Sequence, residues 1–181
     1  PEAATEAIRA RAVGAARAVI TAARAGDALG ALEALGGFRL LCAHRRGPYG
    51  VATWSARIEA WLGEAVPGFA AAGAWYAGRP LLVTENDEAL RLFNGDTGVI
   101  VQAGDDGAVA AAFERRGEVV AYAPARLGEV ETMHAMTIHK SQGSQFGTAA
   151  VLLPPPESPL LTRELLYTGV TRASERITVV T

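Results

Sequence analysis

The chain has 181 residues, half of them apolar, with a formal net charge of −2 and a pI near 6.0. That length holds one ordinary domain, or one domain with a small insert, and the composition excludes disorder of the whole chain. The charge balance excludes a global basic field that would coat nucleic acid, while leaving room for a local basic groove.

In chain order, residues 5–24 are alanine-rich, with arginines recurring on a polar face and Ile8, Val13, Val19 and Ile20 among the apolar positions. That pattern predicts a helix. Gly26-Asp27 breaks it, and "ALGALEAL" predicts a short second helix. "FRLLCA" (38–43) predicts a buried strand, and "HRRGPYG" a loop, from its Gly-Pro and Tyr-Gly steps. "VATWSARIEAWL" predicts an amphipathic helix, because Trp54, Ile58, Trp61 and Leu62 recur at helical spacing. "RPLLVT" (79–84) predicts another short buried strand, and Asn94-Gly95-Asp96 a turn.

From 97 to about 132 the texture changes. "TGVIVQ", "AVAAAFE" and "EVVAYAP", separated by turns at "AGDDG" and "ERRG", predict a small antiparallel unit. Buried strands then return at "HAMTI", "TAAVLL" and "RITVV". Between the last two lie a proline loop, "PPPESP", and a helix, "TRELLYTGVTRA", with Thr162 as its N-cap and Glu164 in its first turn. Buried strands alternating with helices predict a parallel α/β sheet interrupted by a small β module. The expected division is residues 1–95 with 133–181 for the sheet and 96–132 for the module.

The single cysteine, Cys42, lies in an apolar run and is expected to be buried, which points to an intracellular, cytoplasmic protein. No apolar run has transmembrane length, and no membrane partner is expected. His44, His134 and His139 lack the spacing of a metal site. The chain opens on Pro1 without a methionine and is expected to be part of something longer.

Three polar clusters follow predicted strands: "HRRGPYG", "TEND" and "HKSQGSQF". Ligands of doubly wound sheets bind beyond the C-terminal strand ends, so the three are expected on one edge, with Arg172 adding a cation there. The chemistry suggested is anion binding. Gly143 permits close backbone approach, Ser141 and Ser144 offer hydroxyls, and Lys140 offers a point charge. Arg45 and Arg172 offer planar forks suited to phosphate. There is no GxxxxGK[ST] loop and no strand ending in paired acids for magnesium. A nucleoside triphosphate would therefore be handled from one side. Plainer readings stand beside these: "HKSQG" as a polar loop closed by Gly143, Arg172 as a cation capping a helix C-terminus, and Arg45-Arg46 as a solvated pair.

Taken together, these stretches resemble a known family. "AMTIHKSQGSQF" resembles motif V of superfamily 1 helicases, and "LLYTGVTRASERITVV" their motif VI. "GRPLLVTENDEALRLFNGDTGVIV" resembles the segment before the small β insert of RecD-type enzymes, the alpha subunit of exonuclease V, and "FRLLCAHRRGPYGV" that family's motif IV. The resemblance covers roughly residues 28–181. It implies a RecA-like parallel sheet with helices on both faces and an SH3-like insert. It further implies the second of two motor domains of an ATP-dependent 5′-to-3′ DNA helicase, acting in double-strand break repair and recombination. ATP and Mg2+ would be held mainly by a first RecA-like domain, with single-stranded DNA and the RecB and RecC subunits as further partners.

By the same resemblance, Arg172 is the arginine finger. Arg45 is a second γ-phosphate contact, with Arg46 as its rival. Gly143, Gln145, Gln142 and Lys140 lie at the nucleotide, and Thr137, His139 and Asn86 face single-stranded DNA. The family usually has glutamate at the position of Gln145, and often arginine at that of Glu85. The alternatives are a non-catalytic DNA-binding scaffold, and a stand-alone or relaxase-linked helicase of the same type.

Overall fold

The computed structural model describes residues 2–69, 73–104 and 106–180, so Asp105 of the expected "AGDDG" turn lies outside the described residues. Two helices come first, α1 (Glu2–Arg24) and α2 (Ala28–Gly36). They are separated by Gly26 at φ +73° and by Asp27, whose carboxylate accepts from the Gly30 N–H at 2.9 Å and so caps α2. β1 (Phe38–Cys42), α3 (Val51–Ala65), β2 (Pro80–Val83), β3 (Thr97–Gln102), β4 (Val109–Arg115) and β5 (Glu118–Tyr122) follow. The chain continues with β6 (Val130–Thr132), β7 (Ala135–Thr137), β8 (Phe146–Leu152), α4 (Arg163–Val170) and β9 (Ala173–Val180). These elements form two compact units, one from the described residues of 1–15, 36–65 and 134–181, the other from 16–35 and 66–133.

The first unit is built on a parallel sheet in the order β7-β1-β8-β9. Its register places Cys42 level with Thr137 on one side and Leu152 on the other, and Leu152 level with Val180. Leu40, Leu41, Cys42 and Ala149–Leu152 are buried on these central strands, as the unbroken apolar runs require. From β1 the chain crosses to β7 through α3, and from β8 it crosses the other way to β9 through α4. Right-handed crossovers in opposite directions put the two helices on opposite faces. The RecA-like α/β arrangement implied by the resemblance is therefore present. On α3 the buried stripe is Trp54, Ile58 and Leu62, while Trp61 meets Trp54 edge to face at 6.3 Å.

The second unit holds an antiparallel sheet in the order β5-β4-β3-β2-β6. Strand alternation splits its core. Val99, Val101 and Ala112 pack with Val19, Ala23, Ala31 and Leu35, whereas Ile100, Ala111 and Phe113 pack with Leu81, Val83, Leu90 and Leu92.

Here one expectation is corrected. "RPLLVT" was assigned to the parallel sheet, but β2 pairs antiparallel with β3 and β6, through Leu81↔Gly98 and Leu81↔Thr132. Residues 79–95 consequently fold with the antiparallel unit. A four-residue run buried on both faces reads the same in either kind of sheet, and the partners that decide lie far along the chain. Among the described residues, no helix is long and apolar enough to cross a membrane.

Candidate functional site

The site grows from the short crossover between β7 and β8. Thr137 ends β7 at the C-terminal edge of the parallel sheet, and the Ile138 N–H donates to the Cys42 carbonyl at 2.9 Å. A 3₁₀ turn, His139–Ser141, follows. Thr137 Oγ1 accepts from the Lys140 N–H at 3.2 Å, and Ser141 Oγ donates to the Ile138 carbonyl at 2.6 Å. The Ser141 proton is committed to the turn and Ser141 is fully buried, whereas Thr137 Oγ1 acts there as an acceptor. Ser141 therefore does not offer its hydroxyl to an anion, as had been expected, because the turn itself consumes it. His139 stands exposed on the outside of the turn.

The loop then descends to Phe146, which pairs with Ala173 at the N-terminal edge of the sheet. β8 has seven residues, so residues 138–145 link two edges about 20 Å apart at ~3.3 Å per strand residue. Gly143 has φ +85°, the left-handed region that demands glycine. An added Cβ there would meet nothing within 4 Å, so backbone conformation rather than crowding explains the residue. Gln142, Gly143 and Gln145 are exposed, and Lys140 is half-buried.

α4 lies over β8 and approaches this loop closely. Its N-cap is Thr162, whose hydroxyl accepts from the Leu165 N–H at 3.1 Å, as the sequence predicts. A Cβ at Gly169 would come within 3.2 Å of Val151 and 3.4 Å of Ile138, so glycine there permits the close fit of the helix. Between α4 and the loop is a cleft of about 190 Å³, walled by Ile138, His139, Gln142, Thr162, Glu164 and Thr168 among others.

α4 runs against the strands and delivers Arg172 just below the start of β9. The Arg172 carbonyl accepts from the Phe146 N–H at 2.8 Å. Its guanidinium is half-buried and held by neutral oxygens only. Nε donates to the Thr168 carbonyl at 3.1 Å, Nη1 to the Ser144 carbonyl at 3.2 Å with Ser141 O at a longer 3.5 Å, and Nη2 to Thr171 Oγ1 at 3.1 Å. None of the ion pairs among the described residues involves Arg172. The bond to Thr168 is the helix-capping role that the plainer reading assigns to this cation. The other bonds tie it to the loop that carries Gly143.

The expected gathering of polar clusters on one edge is corrected in two respects. Arg172 sits at the N-terminal edge, because a helix antiparallel to the strands ends there. Arg45 follows β1 on the C-terminal edge, exposed, in a loop held by Thr53 Oγ1 donating to the Gly47 carbonyl at 2.8 Å and Trp54 Nε1 donating to that of Pro48 at 3.0 Å. Their backbones thus emerge at opposite edges of the sheet, while the Arg172 guanidinium reaches back to within 3.5 Å of the Ser141 carbonyl. "TEND" belongs to the antiparallel unit. There Asn86 Oδ1 accepts from the Asn94 N–H at 2.9 Å and Asp96 accepts from that of Phe93 at 2.8 Å, so both side chains shape the Asn94-Gly95 turn.

Cys42 is buried, as expected, and burial pushes its thiol up to about 12. Three positions earlier in β1, Arg39 is buried with its guanidinium 5.1 Å from the centre of the Phe146 ring, and burial lowers it to about 10. Sequence reasoning missed the part played by Thr171 and Thr168. The adjacency of Thr171 to an arginine at a helix end was the available signal.

Compared with known proteins, residues 132–180 match the model of the UvrD-like helicase C-terminal domain, which covers the site from β7 to β9. The chain is 56% identical over 159 residues to the RecBCD enzyme subunit RecD of Mycolicibacterium smegmatis, covering 88% of this chain and 28% of that protein. It is 31% identical over 142 residues to the ATP-dependent RecD2 DNA helicase of Deinococcus radiodurans, covering 78% and 19%. Among solved structures, the Pif1 helicase from Bacteroides in complex with ADP-AlF3 and ssDNA aligns with 81% of this chain and 41% of its own, at 18% identity and a TM-score of 0.47. The chain spans 28% and 19% of the length of these two curated relatives.

Proposed function

This chain belongs to the RecD-type superfamily 1 helicases, and from that premise we propose that it is the second RecA-like motor domain of an ATP-dependent 5′-to-3′ DNA helicase of the RecBCD type. Acting with RecB and RecC subunits, such an enzyme serves double-strand break repair and recombination. The much higher identity to a RecBCD subunit than to a RecD2 helicase favours this over a stand-alone enzyme.

The observation that carries the reading is the state of Arg172. Its guanidinium is oriented by neutral acceptors, uncompensated by any carboxylate in the ion pairs among the described residues, and tied to the loop bearing Gly143. A preorganised, uncompensated cation suits the charge that develops on a transferring phosphoryl group. The donor set fits one end of a triphosphate. Mg2+ and most of the nucleotide are assigned on this reading to another domain; among the described residues no cluster of His, Cys, Asp and Glu could hold a metal ion.

Bound ATP supplies the phosphoanhydride bond whose hydrolysis drives the motor. This chain contributes Arg172 as the arginine finger, with Gly143 and Gln145 beside the nucleotide; Lys140 and Gln142, expected there too, lie nearer the turn that carries Thr137 and His139. Thr137 and His139, at the opposite edge, lie toward single-stranded DNA, and Asn86 does so from the antiparallel unit. Arg45 shares the edge of Thr137 and His139, a position that favours a DNA phosphate contact over a second γ-phosphate contact. The crossover of residues 138–145 joins the two edges. Closure around nucleotide at one edge is thereby coupled to strand contacts at the other.

In the complete protein, Arg172→Ala is expected to lower ATP turnover by about a thousandfold or more while single-stranded DNA affinity stays near wild type. Steady-state ATPase assays and fluorescence anisotropy measure the two, and near-normal turnover removes the arginine-finger assignment.

A further inference from the structure

We propose that Thr171 is a positioning residue for Arg172, acting as a fixed acceptor that sets the plane of its guanidinium. The proposal rests on the reading of Arg172 as an arginine finger and adds a second residue to that site.

The Thr171 hydroxyl carries one proton and two lone pairs. Its oxygen lies 2.9 Å from the Tyr167 carbonyl and 3.1 Å from that of Thr168, both in the last turn of α4. Carbonyls only accept, so the proton is committed to the helix end. The remaining lone pairs face Arg172 Nη2 at 3.1 Å, and Thr171 can only accept there. The polarity of the contact is therefore fixed without reference to any ligand.

The backbone reinforces this placement. Thr171 is the C-cap of α4 at φ −76° and ψ 0°, and its own N–H bonds back into the helix. Arg172 N–H donates to the Gly169 carbonyl at 3.2 Å, and its carbonyl accepts from Phe146. With the main chain pinned at both residues, one hydroxyl and two or three carbonyls surround a fork that has five N–H donors. Nε faces Thr168, Nη1 faces Ser144, and one Nη2 proton faces Thr171. The other Nη2 proton stays available to an anion.

Three features follow from chemistry rather than shape. All the acceptors are neutral, so the guanidinium keeps its full charge for a phosphate, which a neighbouring carboxylate would cancel. Rotamer freedom is surrendered in folding instead of in the transition state. The requirement at position 171 is for a hydroxyl, which serine meets and valine or alanine does not.

The test uses the complete protein with Thr171→Val, Thr171→Ala, Thr171→Ser, Arg172→Ala and the double variant T171V/R172A. T171V and T171A are expected to lower kcat for ATP on the order of tenfold or more, as loss of a hydrogen bond to a charged group does. KM for ATP and single-stranded DNA affinity should hold, and T171S should restore most of kcat. T171V should add nothing in the R172A background, since its effect passes through that side chain. Alanine, lacking the branched methyl, serves if the valine variant folds poorly. Wild-type kcat in both T171V and T171A beside an inactive R172A overturns the role of Thr171 alone. So does a T171S variant as impaired as T171V, which would place the effect in packing. A near-normal R172A removes the arginine-finger reading itself.

Discussion

At the scale of single residues, two arginines with the same expected partner emerge at different edges of one sheet. Arg172 was legible because it follows a helix whose cap, length and end are set by local rules. Its capping role is seen in the bond from Nε to Thr168, while Nη1 and Nη2 reach Ser144 and Thr171, the contacts on which the proposed finger role rests. Arg45 lies at the C-terminal edge, as expected of a loop that follows a strand; it is Arg172 whose edge differs from the expectation, because the direction of α4 decides where that residue emerges. Ser141 was misread for a related reason. A hydroxyl three residues after Ile138 is within reach of the Ile138 carbonyl, and the turn claims it. If Arg45 meets a DNA phosphate, Arg45→Ala should weaken binding to single strands of every sequence and reduce the salt slope by about 0.7, one phosphate contact's share. Turnover at saturating DNA should stay near wild type. Anisotropy titrations across a KCl series, paired with ATPase assays, measure both. A fall in turnover as deep as that of Arg172→Ala would return Arg45 to the nucleotide.

At the scale of elements, what local chemistry decides was readable and what distant pairing decides was not. The α3 stripe, the Thr162 cap and the Asn94-Gly95 turn each depend on a few neighbouring residues, and each forms as the sequence predicts. β2 depends on Thr97–Val99 and Val130–Thr132, and β6, three residues with Glu131 at its centre, carries too weak a pattern to announce itself. Glycines inside elements show the same divide. Gly98 in β3 and Gly63 in α3 look alike in sequence. A Cβ on Gly98 would stand 2.5 Å from the Phe113 ring and 2.7 Å from the Ala112 carbonyl, whereas one on Gly63 would meet nothing within 4 Å. Phe113 is buried in a full cluster and the carbonyl belongs to the paired strand, so neither yields readily. Gly98→Ala should therefore destabilise the fold by about 1–3 kcal/mol, the usual cost of overpacking. Gly63→Ala should stabilise it by about 0.5–1 kcal/mol through helix propensity. Denaturant midpoints at unchanged slope report the difference, and equal shifts for the two would show that Gly98 has room the structure denies.

At the scale of the whole molecule, net charge bears on how strongly this chain attracts the proposed DNA partner. With 17 basic and 19 acidic residues, the chain has no surplus field to draw a polyanion toward it. What it has is local: Arg45, Arg46 and His139 exposed at the C-terminal edge of the parallel sheet, where α4 and the β7–β8 loop leave a cleft. Two or three such contacts release few counterions. Affinity of this chain by itself for single-stranded DNA should therefore be weak, with Kd of about 100 μM or more at physiological salt and a log–log salt slope of about −2 or shallower. On the proposed reading each edge carries part of a site, and the weakness follows from that division of labour. Anisotropy with a labelled oligonucleotide, measured from low salt to 0.2 M, gives both quantities. Submicromolar binding that ignores salt would mean that this chain holds a complete DNA site of its own, and would move it from motor domain to independent binding module.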